Sequence, residues 1–105
     1  MSEPLMCYCT CPDAAVARRI AEVLVEEGVA ACVNLVPGLV SVYRWQGTVE
    51  AADEVLLLAK TDRAHYPALE AAIRREHPYE LPEVVAVCIA AGSPQYLEWL
   101  HASLI

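Results

Sequence analysis

The spacing of apolar positions along the chain switches between a period of two and a period near 3.6, and each switch marks an element boundary. Leu5, Cys7, Cys9 and Cys11 alternate with Met6, Tyr8 and Thr10, which predicts a strand with three thiols on one face. Pro12-Asp13 follows as a helix entry with Asp13 as capping carboxylate. Ala17, Ile20, Ala21 and Leu24 then recur at helical spacing as far as Glu26-Glu27. Gly28 suits the left-handed residue that closes such a helix. Val29 to Val36 is a second extended segment, stopped by Pro37-Gly38, and Leu39 to Trp45 resumes it with β-branched and aromatic residues. Gln46-Gly47 is a turn and Thr48 to Lys60 runs back, so the two arms form a long hairpin. Thr61 or Asp62 caps a second helix whose inner stripe is Ala68, Leu69, Ala72 and Ile73. Pro78 ends it near Glu76-His77. Val84 to Ala91 is a continuous apolar strand. Ser93-Pro94 opens a short last helix with Tyr96, Leu97 and Leu100 on its apolar side.

The element order is therefore β-α-β-β-α-β-α over residues 1–105, one domain without linker or repeat. A strand-helix-strand unit repeated around a hairpin predicts an α+β, ferredoxin-like βαββαβ sandwich with an extra C-terminal helix. Both main helices fall on one face of an antiparallel sheet. Such a protomer is incomplete. The helix from Asp13 to Glu27 is about 22 Å long at ~1.5 Å per residue, whereas the arm from Thr48 to Lys60 reaches about 43 Å at ~3.3 Å per residue. About half of that arm, with Val40, Val42, Tyr43, Trp45 and Val49, overhangs the helical layer and would leave an aggregation-prone edge. Val55 to Ala59 and Val84 to Ala91 are apolar at every position, the pattern of strands buried on both faces. Helices cover one face, so further copies of the chain are expected on the other, in a closed ring.

Composition supports this. The chain is 57% hydrophobic, against about 45–50% for ordinary soluble domains, yet no apolar run approaches the ~18 residues of a membrane span. Lys and Arg number 7 against 14 Asp and Glu, a formal net charge of −7. Nucleic acid and anionic membranes are therefore not expected as partners. The first residues carry Glu3 and no basic residue, so they do not read as a signal peptide. Five cysteines without such a signal suggest reduced thiols in the cytoplasm.

Several residues could carry chemistry. Cys7, Cys9 and Cys11 share a face, and thiolates suit soft or borderline cations. Yet β-carbons two apart on a strand lie ~7 Å from each other, so their rotamers would have to converge on an ion. The alternative is three small buried hydrophobes. Cys32 and Cys88, in apolar runs, read as core. His77 either binds metal or simply ends its helix; Glu76 and Glu80 are near enough to join it. His65 and His101 read as isolated surface residues, and Lys60 as a strand-end amine. No phosphate-cradling Gly-rich loop, nucleophile elbow, His-Glu-x-x-His or paired Cys-x-x-Cys is present, so no enzyme is expected.

Six motifs in register complete the picture: Cys9-Thr10-x-Pro12; Ala30-Ala31-Cys32-Val33-Asn34 with Pro37-Gly38; Ser41-x-Tyr43-x-Trp45-x-Gly47; Glu54-Val55 with Lys60-Thr61; His77-Pro78-Tyr79 with Pro82-Glu83; and Tyr96-Leu97-x-Trp99-Leu100. Together they resemble the CutA divalent-cation-tolerance family over essentially the whole chain. The resemblance implies a compact trimer with the architecture of PII signalling proteins, a cytoplasmic role in divalent-cation tolerance, and binding of copper or another divalent cation. It places ligands at Cys9 and His77, with Glu76 where some relatives carry a second histidine; Cys7 and Cys11 lie outside the family pattern. It also leaves room for a PII-like sensor, whose intersubunit clefts would bind a small molecule or partner protein near Tyr43, Trp45, Lys60 and Trp99.

Overall fold

The computed structural model describes residues 1–105 as β1 (Pro4–Cys11), α1 (Ala14–Glu26), β2 (Cys32–Trp45), β3 (Thr48–Asp62), α2 (Tyr66–Glu76), β4 (Val84–Cys88) and α3 (Pro94–Ala102). The strands form one antiparallel sheet in the order β2-β3-β1-β4, the ferredoxin-like arrangement expected from the element order. Asp13 caps α1 by accepting the Val16 N–H, and Gly28 follows the helix at φ +73°. Ser93 caps α3, with Pro94 at its first turn. No helix is long and apolar enough to cross a membrane.

The core lies between the two main helices and one face of the sheet. Ala17, Ile20 and Leu24 of α1 and Leu69, Ala72 and Ile73 of α2 meet Cys7, Cys9, Cys11, Val55, Leu57 and Ala59. Each fully buried Leu or Ile contributes roughly 1.5–3 kcal/mol. On the opposite face α3 meets only the Lys60–Asp62 end of β3; Val36, Val85 and Val87 are 44%, 53% and 50% exposed, and Met6, Tyr8, Leu56 and Leu58 beside them are half-buried. The tip of the hairpin is exposed on both sides, including Val40, Val42, Tyr43, Trp45 and Val49.

Three boundaries differ from expectation. Pro37-Gly38 does not break the second strand; it forms a bulge, with the register jumping from Val36↔Leu56 to Leu39↔Glu54. Pro37 has no N–H to give the ladder, and Gly38 takes φ +84°, so the extra residue is absorbed locally. The last strand stops at Cys88 rather than Ala91, because its neighbour β1 begins at Pro4; the Ile89 N–H to Pro4 carbonyl bond is the last rung. Asp62 does not cap α2. The cap position is His65, without a side-chain cap bond, and Asp62 ends β3 instead.

Asp62 also corrects the reading of the other two histidines. His65 and His101 are not isolated on the surface: they flank this buried carboxylate, His65 Nδ1 at 2.6 Å and His101 Nδ1 at 3.6 Å. His65 Nε2 reaches the Ile105 carbonyl at 2.8 Å, and the Ile105 N–H donates to the Gly28 carbonyl. Both partners of the His65 ring can only accept, so the ring donates from both nitrogens and is the charged imidazolium. The hydrogen bond to Asp62 accordingly raises the His65 pKa, while burial works against it. Burial alone would lift Asp62, but the side-chain and backbone hydrogen bonds of His65 hold it below the usual carboxylate range.

Two outcomes follow from these contacts. The His65 contribution is complete below its ordinary pKa of ~6.5 and is lost as pH rises through the raised folded value; the Asp62 contribution is lost only as pH falls through its depressed value. Wild-type stability in urea should therefore decline on going from mildly acidic to mildly alkaline buffer, and Asp62→Asn should be less stable and flatter across that window. Gly28→Ala should cost roughly 1–2 kcal/mol from the left-handed backbone alone. It should cost more through the Ile105 side chain, which lies 2.5 Å from where the new β-carbon would stand.

Candidate metal centre

The period of two along β1 aims Cys7, Cys9 and Cys11 at the helices, and all three are fully buried. The second half of the site comes from the end of α2. Pro78 excludes helical geometry at the residue before it, so His77 turns out of the helix with ψ 137° while its N–H still bonds to the Ile73 carbonyl. That turn folds the imidazole over the end of β1, where it is 7% exposed. Nε2 lies 2.8 Å from the Thr10 carbonyl, and the Tyr79 N–H donates to Nδ1 at 3.1 Å. A backbone N–H can only donate and a carbonyl only accept, so the ring is neutral, with its proton on Nε2. Both nitrogens are occupied. A cation that takes either one must displace a hydrogen bond, to Thr10 or to Tyr79.

Cys9 Sγ, Cys11 Sγ and a His77 ring nitrogen all lie within 4.8 Å of one another. The convergence that strand spacing alone left open is thus achieved by the rotamers. Two metal–sulfur bonds of ~2.3 Å span about that distance, and two sulfurs with one imidazole are donors that suit soft or borderline cations. The residues fit a metal ion. Electrostatics inside the cluster are unequal: hydrogen bonding to Cys11, together with burial, pushes the Cys9 thiol up, and the same bond lowers Cys11. Cys7 lies one alternation away, outside the cluster, and burial pushes it up to about 12.

Thr10 and Tyr79, which hold the His77 ring, line a cavity of about 600 Å³ that the three cluster residues themselves do not reach. Tyr79 packs on His77 with ring centroids 4.6 Å apart, and its hydroxyl donates to Glu54 Oε2 at 2.9 Å. Burial and that carboxylate push the Tyr79 pKa up to about 12. Tyr43, Trp45, Glu50, Glu80 and Glu83 also line the cavity.

The remaining candidates separate. Tyr43 and Trp45 line this cavity, while Lys60 and Trp99 lie elsewhere in the protomer. Lys60 Nζ is 2.5 Å from Asn34 Oδ1 and 5.7 Å above the Tyr96 ring, which Trp99 contacts at 5.5 Å between centroids. Glu76 is engaged by Arg75, and its carbonyl by Arg19; Glu80 stands on the cavity wall. Cys32 and Cys88 are not core residues: Cys32 is half-buried near Lys60, and Cys88 is exposed at the outer end of β4 beside Arg63. Apolar runs place them in strands, but Cys32 pairs with Lys60 on the sheet face turned away from the two main helices, and Cys88 lies on the edge strand β4. Cys11 joins the cluster although it lies outside the family pattern, and the Cys-x-Cys spacing on a strand was the available signal. The Tyr79–Glu54 bond had none, since its partners are far apart in sequence.

Fold and site together define a small ferredoxin-like protein with two thiols and an imidazole gathered at the seam between helix and sheet. The chain belongs to the CutA1 divalent ion tolerance protein family, whose profile matches residues 5–103. It is 54% identical over 92 residues to the divalent-cation tolerance protein CutA of Thermus thermophilus, covering 88% of this chain and 89% of that one. Protein CutA of Mus musculus is 46% identical over 94 residues; they cover 90% of this chain but only 53% of that longer protein. The crystal structure of CutA from Xylella fastidiosa superposes with a TM-score of 0.95 at 43% identity, covering 99% of this chain and 100% of that one.

Proposed function

We propose that this protein serves divalent-cation tolerance as a cytoplasmic homotrimer that binds copper or a similar cation through Cys9 and His77, with no enzymatic step. Family membership supports the general role in metal tolerance. The observation that carries the metal site is the buried convergence of sulfur and imidazole donors within 4.8 Å. A reducing compartment suits it, because the five cysteines are free thiols. Assembly is supported by the valine-rich sheet face opposite the helices and by the exposed aromatic hairpin tip. Copies packed through that face would bury both.

A second reading rests on a separate observation. The cavity walled by Tyr43, Trp45, Tyr79 and several carboxylates suits a small ligand of a PII-like sensor. A thermal shift with a metabolite and no metal would favour it.

Calorimetric titration with copper and with zinc should show binding to the wild type that Cys9→Ala and His77→Ala each abolish. Silence from the wild type, or undiminished heat from both variants, would count against the site. In sedimentation, the wild type should run as three copies at micromolar concentration, and the double substitution Val85→Glu, Val87→Glu should release monomers. A folded, soluble wild-type monomer would remove the trimer.

A further inference from the structure

We propose that Cys11 is a third ligand, so that Cys9, Cys11 and His77 form a two-sulfur, one-nitrogen site selective for soft, thiophilic cations such as monovalent copper. This rests on the proposal that Cys9 and His77 bind metal and extends it to a residue outside the family motif.

Three observations carry it. The first is position: alternation along β1 puts Cys9 and Cys11 on one face, and their sulfurs converge with the His77 ring within 4.8 Å. The second is the donor set. Cys9 and Cys11 are fully buried and His77 nearly so, leaving little room for the water molecules that Mg²⁺ or Mn²⁺ retain, and none of the three offers oxygen. Thiolate with imidazole instead suits Cu(I) and other soft ions, which accept few ligands. The third is the surrounding charge. Glu54 and Glu83 act on Cys11 and Cys9 respectively and also line the neighbouring cavity. A negative approach of this kind draws cations toward the seam. Arg19, whose charge acts on Cys11 and whose guanidinium holds the Glu76 carbonyl at 2.8 Å, helps balance two thiolates around a monovalent ion.

Cys7 is a control supplied by the fold itself. It occupies the same strand face and is equally buried, but it stands outside the cluster. If burial on that face were all that mattered, Cys7 and Cys11 would be interchangeable.

The test is an anaerobic titration of the full chain with Cu(I) against a competing Cu(I) chelator. It is repeated with Cd(II), followed by thiolate charge-transfer absorbance and by the cadmium-113 chemical shift, with Mn(II) as the hard-ion comparison. Cys11→Ala should weaken Cu(I) by about 100-fold or more, since even loss of a group supporting a ligand costs about 10–100-fold. Cys7→Ala should leave affinity unchanged, and Mn(II) should not compete. The cadmium shift should report two sulfurs in the wild type and one in Cys11→Ala; the wild-type spectrum decides the point even if that variant fails to fold. Wild-type affinity in a folded Cys11→Ala, or a one-sulfur shift in the wild type, overturns the proposal while the two-residue site stands, provided that Cys9→Ala and His77→Ala still lose binding. No binding of any ion by the wild type overturns both.

Discussion

The seam between β1 and the two main helices is the constraint on which the rest depends. Cys7, Cys9 and Cys11 put small side chains where Ile20 and Leu24 of α1 and Leu69 and Ile73 of α2 must pack, and Leu57 and Ala59 of β3 fill beside them. Close packing at such a seam tolerates little change in volume. It also holds the sulfurs of Cys9 and Cys11 in dry surroundings, where an unpaired charge is costly. Packing thus demands that Cys9 and Cys11 be small and buried, the same surroundings that the proposed metal site would use.

His77 connects that seam to the surface. Its ring is fixed by the Thr10 carbonyl on one side and the Tyr79 N–H on the other. Tyr79 in turn binds Glu54 at the mouth of the aromatic and acidic cavity. Because neither ring nitrogen is free, a cation taking the imidazole disturbs the β1 strand end or the turn that carries Tyr79. Thr10 and Tyr79 also line the cavity, so the proposed metal-tolerance and sensor roles concern neighbouring parts of one structure.

Much of the architecture was legible because it rests on short-range rules. Asp13, Gly28, Ser93 and Pro94 mark helix ends by backbone geometry and capping, and each does so here. Where neighbours in space decide, local pattern misled. Pro37-Gly38 is a bulge because β3 continues opposite it, and β4 ends at Cys88 because β1 offers no further rung beyond Pro4. Cys88 is apolar in sequence context yet exposed, and His65 and His101, which carry no local signal, flank Asp62 across three elements.

The order of elements, the ferredoxin-like topology, the row of three thiols on one strand face and the surplus of apolar surface were all written in periodicity and composition, since those depend on residues a few positions apart. Whether two of the three thiols would converge with an imidazole on another element could not be read that way. It depends on rotamers chosen by packing, on Pro78 turning His77 back over β1, and on the Thr10 and Tyr79 backbone groups that hold the ring. Those contacts join residues far apart in the chain, and only the folded packing of helix on sheet brings them within bonding distance.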